Sequence, residues 1–191
     1  MRFTPGQPAS DFQVSDIFGK PVSLKQYAGR HLLLSFYKWA SCPFCNLRVR
    51  HLSQHYPQLQ QQGLDIVAVF YSSADTLRQH MSQYTVPFPL IADPQMKLYR
   101  DYGVEKSLWG MMKTSFRMGD MLEMMRLGLM KTSPEGDMRI MPADFLIAPD
   151  GHIKIAHYGS DIGDHLRLET IQESLPSHEN HPFSLPVSQR G

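Results

Sequence analysis

Two uninterrupted apolar runs, "HLLLSFY" at 31–37 and "LDIVAVFY" at 64–71, constrain this chain more than any other feature. Neither alternates apolar with polar residues, so each reads as a strand covered on both faces. Between them, the stretch opening at Pro43 carries Cys45, Val49, Leu52 and Leu59 on one helical stripe, and Gly63 follows it. Proline suits the first helical position, because its missing N–H would be unpaired there. Cys42 then falls at the N-cap. Strands alternating with helices predict an α/β sheet with helices on both sides.

The flanking segments extend this pattern. "DFQVSDIFGKPVSL" predicts strand, turn and strand near the N-terminus. "SADTLRQHMSQY" predicts a helix capped by Ser73 or Asp75. "FPLIADP" reads as a short strand and "QMKLYRDYG" as a short helix closed by Gly103. "ADFLIAPDGHIKIAHYG" predicts a hairpin turning at "PDG". "DIGDHLRLETIQESL" predicts a last helix capped by Asp161 or Asp164. Seven of the twelve methionines lie between Met111 and Met130, where "GDMLEMMRLGLM" can form a short helix, apolar on most sides, and "TSPEGDMR" a loop. Residues 1–175 are thus expected to form one domain, and 176–191, rich in proline and polar residues, a flexible tail.

A formal net charge of +1 over 191 residues supplies no field to gather nucleic acid or an anionic membrane. The longest apolar run is too short to cross a bilayer. No signal-peptide pattern opens the sequence, and two cysteines fit a reducing compartment; a cytoplasmic protein is expected.

The two cysteines carry the chemistry. In "WASCPFCNL", Cys42 and Cys45 are three apart at a strand–helix junction, where α/β sheets place functional groups. At this spacing both sulfurs lie on one helix face and can close a disulfide. A free thiol ionises near pH 8.5, roughly, so a nucleophile at neutral pH needs help. The first N–H groups of the helix and its dipole supply it. Cys42, at the solvent-facing tip, is the expected nucleophile; Cys45, on the core stripe, is the expected resolving thiol. Two alternatives compete. The pair could be core thiols packing as small hydrophobes. It could be half of a metal site, but no second pair exists and the histidines are scattered, so neither metal nor other cofactor is expected.

Beyond the pair, "GQPASDFQVSDIFGKPVSLKQYAGRHLLLSFY", "FPLIADPQMKLYRDYGV" and "ADFLIAPDGHI" resemble, in order, the peroxiredoxin (AhpC/TSA, redoxin) family of the thioredoxin fold. "CPFCNLRV" and "DIGDHLRL" look more like its branch related to selenoprotein L. The resemblance implies a thioredoxin-like α/β fold: a central mixed sheet flanked by helices, with an N-terminal hairpin and a Met-rich helical insertion. It also implies an antioxidant oxidoreductase. Two reactions fit: exchange with protein disulfides, or hydroperoxide reduction through a sulfenic acid. Either needs a thiol reductant. Set on the family pattern at Phe36–Tyr37, Lys38 replaces the usual proline, Cys42 the threonine, and Cys45 stands at the peroxidatic cysteine. Pro142 replaces the arginine. These replacements favour disulfide exchange, with "MPADFLI" resembling the cis-proline element whose preceding backbone, at Met141, pairs with a docking substrate. A non-catalytic binding module or copper chaperone is the reading of another class.

Other residues admit plain readings. Trp39 either shields the pair or packs as an ordinary aromatic. Lys38 can assist ionisation, but a solvated surface lysine is the simpler expectation. Arg48 and Arg50 read as a wet helix face, as do His51 and His55. "GDHLRLETI" suggests an Asp–His pair, which a helix cap explains more simply. The methionines fill an irregular core, form an adaptable surface, or bind copper, in that order of preference. The sequence leaves oligomeric state open.

Overall fold

The computed structural model describes residues 2–81, 85–104, 118–128 and 139–176. The expected tail beyond 176, the loop "TSPEGDM" and the methionines at 111, 112 and 130 lie outside these residues.

The chain opens with a hairpin of β1 (Gln13–Ser15) and β2 (Pro21–Ser23), paired Val14 to Val22. Then follow β3 (His31–Tyr37), α1 (Pro43–Gln61), β4 (Leu64–Phe70), α2 (Ala74–Met81), β5 (Leu90–Ala92) and α3 (Lys97–Asp101). After these come α4 (Met118–Arg126), β6 (Ala143–Ile147), β7 (Ile153–Tyr158) and α5 (Leu168–Glu173). Five strands form one sheet in the order β5-β4-β3-β6-β7. β3, β4 and β5 are parallel, whereas β6 and β7 run antiparallel to their neighbours.

The apolar runs divide between the two faces, as a period of two requires. Leu33 and Tyr37 of β3 join Leu64, Ile66, Ala68 and Phe70 of β4 under α1. Leu32, Leu34 and Phe36 join Val67 and Val69 on the opposite face, with Tyr99 and Tyr102. Both faces of the sheet are therefore covered. On α1, Val49, Leu52 and Leu59 are buried on the expected stripe. Burying each contributes about 1.5–3 kcal/mol.

Ser73 accepts from Thr76 N at 3.2 Å and caps α2, while Asp75 bonds Arg78 instead. Asp93 caps α3 through both oxygens, at 2.9 and 2.8 Å. The last helix is shorter than the sequence predicts. It opens after Arg167, because Asp161 and Asp164 are spent on the preceding turn. There Asp161 accepts from Gly163 N, and Asp164 from Ser160 N. The Met-rich α4 is also less apolar in placement than its composition suggests. Met124 is buried against Leu47 of α1, but Leu122 and Met125 are exposed.

Candidate active site

β3 ends at Tyr37 and the chain folds back at once: Cys42 N donates to Trp39 O at 3.0 Å. This tight return puts Cys42 at the N-cap, with extended φ and ψ of −68° and 119°, and Pro43 at the first helical position. Ala40 N is held by Ser72 Oγ at 2.9 Å, and Asn46 Nδ2 donates to Ala40 O at 3.0 Å. The turn is thus fastened to β4's exit and to α1.

The turn also buries Cys42, the expected nucleophile. Cys42 is 3% exposed and Cys45 1%, both packed with Trp39, Ala40 and the α1 core. Cys45 is as deep as its stripe predicts. Cys42 is deeper than a solvent-facing tip, because Trp39 and Ala40 turn inward with it. Both thiols are free.

Burial pushes the Cys42 thiol up, but it is outweighed. The Cys45 thiol donates to it, the N–H groups of Cys45 and Phe44 face it, and Lys38 adds positive charge, so the net shift is downward. No cap hydrogen bond of full geometry forms, so the helix start acts on Cys42 electrostatically. Cys45 moves the other way. Burial raises it most, its hydrogen bond to Cys42 raises it further, and Lys38 only partly offsets this. Lys38 N donates to Cys45 Sγ at 3.4 Å. The two sulfurs therefore differ in character. Cys42 is shifted toward easier ionisation and Cys45 toward harder, because the hydrogen bond between them favours an anion on Cys42.

Lys38 is not a solvated surface residue. It is 1% exposed, with Nζ 4.6 Å from the Trp39 ring centroid. Tyr71 N donates to its carbonyl at 2.8 Å, so the side chain is held beside the pair by a backbone tied into the sheet. Trp39 is 4% exposed and lies in the same buried core as both cysteines.

Met141 is buried and Pro142 leads into β6. Because Phe36 pairs with Ala143, this segment sits level with the exit of β3. The peptide bonds described are all trans, Met141–Pro142 included. The expected cis bond is thus absent; trans is favoured at X–Pro by about 0.5–1 kcal/mol unless packing reverses it. Gly159 N donates to Pro142 O at 2.9 Å. A Cβ at Gly159 would meet Asp164 O at 2.5 Å and Pro142 Cγ at 2.7 Å. Gly159→Ala is therefore expected to cost about 1–3 kcal/mol by overpacking, read as a lower denaturation midpoint.

The sequence reading passed over a second buried group. Asp144 is fully buried on the α1 face of β6, opposite Ser35 of β3. Ser35 Oγ donates to it, His165 Nδ1 lies 3.0 Å from Oδ2, and Leu166 N donates at 2.7 Å. Burial alone would push this carboxyl up. His165, Arg48 and Ser35 outweigh it and hold it well below the usual carboxylate range. His165 also lies 5.0 Å, centroid to centroid, from Tyr37. The Asp–His suggestion in "GDHLRLETI" thus resolves differently. His165 pairs with Asp144, while Asp164 pairs with His157 at 3.1 Å. A charged residue inside the apolar strand "ADFLI" was the signal available. Arg48 is not a wet residue either, since its Nη2 donates to Leu166 O at 2.6 Å. His51 meets Glu123 of α4 at 3.0 Å. No group of three metal-ligating side chains forms among the described residues.

A strand–turn–helix bearing an asymmetric dithiol, in a mixed sheet with an N-terminal hairpin, defines a redoxin. The AhpC/TSA family matches residues 5–156, and the chain belongs to it. Thiol-disulfide oxidoreductase ResA of Bacillus anthracis is 30% identical over 113 residues, 58% of this chain and 61% of that protein. Peroxiredoxin Q, chloroplastic, of Sedum lineare is 26% identical over 109 residues, 57% of this chain and 59% of that protein. The chain thus matches about three fifths of the length of these relatives. The crystal structure of Peroxidoxin BcpB from Mycobacterium tuberculosis has a TM-score of 0.65 at 17% identity, covering 92% of this chain and 100% of that one. A thiol:disulfide interchange protein DsbE from Chlorobium tepidum gives 0.58 at 20%, covering 82% and 86%. These likenesses establish the thioredoxin-like fold.

Proposed function

We propose that the protein is a thiol–disulfide oxidoreductase cycling Cys42 and Cys45, of the branch related to selenoprotein L. The observation that carries this is the placement of the two thiols: Cys42 at the N-cap of α1 and Cys45 in its first turn, hydrogen-bonded to one another beside the buried Lys38. The Cys42 thiolate attacks one sulfur of a substrate disulfide, and the other leaves as a thiolate that takes a proton. Cys45 then loses its proton and attacks Cys42 in the mixed disulfide. The second substrate thiol is released, and the Cys42–Cys45 bond is left for an external thiol to reduce. Lys38 stabilises the anion at each stage, and Trp39 packs in the same buried core as the sulfurs.

Membership of a family that includes peroxiredoxins supports a second reading, hydroperoxide reduction. In it the peroxide oxidises one thiolate to sulfenic acid and leaves as alcohol or water, and the other thiol condenses with loss of water. The family register points to Cys45 as the attacking residue, but the upward shift of its thiol argues for Cys42. Turnover of a protein disulfide and of a hydroperoxide, under one dithiol reductant, separates the readings. Disulfide reduction is expected, with thiol oxidation by peroxide no faster than that of free cysteine. Fast peroxide turnover without disulfide reduction would reverse the assignment.

A further inference from the structure

Cys42 is 3% exposed, yet attack on a disulfide needs its sulfur to be reached in line with the S–S bond. A covering group must therefore move before exchange can begin. The redox turn is not that group. Ala40 is fastened by Ser72 Oγ at its N and by Asn46 Nδ2 at its O, and the Lys38 carbonyl by Tyr71 N at 2.8 Å. α4 is held less firmly. Among the described residues, the cluster that joins it to α1 buries only Leu47 and Met124 fully, with Phe44 and Leu127 partly buried beside them. A further tie, His51 Nε2 to Glu123 Oε1 at 3.0 Å, joins two partly exposed side chains. Leu122 and Met125 face outward, so α4 is not bound to one side by an apolar stripe. Phe44 connects this seam to the sulfur. Its N–H faces Cys42, and its side chain packs on both the redox core and the Leu47–Met124 contact.

We propose that α4 is a lid on the redox turn, anchored by Met124 and tied to His51 by Glu123, whose release frees Phe44 to turn aside and uncover Cys42 for a disulfide substrate. A lid serves this purpose only if Cys42 is the attacking thiol, so the proposal rests on that reading. A short helix held by few apolar contacts opens at lower cost than a core strand. Only the open fraction reacts. A substitution that loosens α4 therefore speeds its amide exchange and the reaction of Cys42 by the same factor.

The test uses the full chain, reduced, carrying Cys45→Ser so that a single adduct forms. Oxidised glutathione is the probe: the Cys42 thiolate attacks one of its sulfurs, and reduced glutathione leaves as a thiolate that takes a proton. Adduct formation and amide exchange are both followed by mass spectrometry. Met124→Ala is expected to raise the adduct rate and the exchange of α4 about tenfold each. Glu123→Ala, at the surface and safe for folding, is expected to raise both about twofold. Leu122→Ala, on the outer face, is expected to change neither, and β3 exchange should hold throughout. Adduct rates unmoved in both Met124→Ala and Glu123→Ala overturn the lid. So does a rate that rises without faster α4 exchange, a rise matched by β3, or an equal effect from Leu122→Ala. Thiolate titration of the same samples separates the two readings. A Cys42 step below about pH 8.5 with unmoved rates rejects the lid alone, whereas no step below that pH rejects Cys42 as the nucleophile.

Discussion

Cys42→Ser is expected to lower disulfide-reductase turnover by roughly 1,000-fold or more, because no covalent intermediate forms without the nucleophile. Serine fits the site and keeps the N-cap, so the fold and its denaturation midpoint should hold. Cys45→Ser fails differently. The first step proceeds, and the mixed disulfide on Cys42 accumulates because its resolving thiol is gone. Mass spectrometry of that variant after exposure to substrate should therefore find one adduct, on Cys42. An adduct on Cys45 in the reciprocal Cys42→Ser variant, with none on Cys42 in Cys45→Ser, would exchange the roles. The asymmetry rests on Cys45 donating a hydrogen bond while Cys42 accepts it.

The second large effect is on stability. Asp144→Asn keeps shape but removes a buried charge from His165, Ser35 and Leu166 N. Breaking one side of a buried pair costs about 3–5 kcal/mol. In a domain of this size that is a fall in denaturation midpoint of about 6–20 °C. The pH dependence has a fixed sign. The folded carboxyl titrates well below its unfolded value of about 3.9, so its contribution is complete above that pH and lost as pH falls further. The gap between wild type and variant should be constant from neutral pH down to about 4 and should narrow below it. A gap that widens on acidification would mean that the carboxyl is not held ionised.

Much of the fold was legible for a simple reason. The runs at 31–37 and 64–71 are apolar at every register because each strand is buried on both faces, and no other placement of them is stable. The helix at Pro43 announced itself by proline and the stripe through Val49 and Leu52. The last helix did not. Asp161 and Asp164 are competent caps, and only the positions of Ser160, Gly163 and His157 show that they serve a turn instead. The cysteine pair was legible because three-residue spacing at a helix start is a local property. Its supporting charges were not. Lys38 is buried because its backbone pairs with the chain leaving β4, and Asp144 meets His165 across 21 positions of sequence. Such contacts leave no period to read.

The whole account turns on whether Cys42 is the more acidic of two linked thiols. Ultraviolet titration of thiolate in the reduced protein measures this directly, with each single serine variant to assign the steps. The account predicts one thiol ionising below about pH 8.5, lost in Cys42→Ser, and a second well above it. Two thiols ionising together at or above that pH, or a lower step that survives in Cys42→Ser, would contradict it.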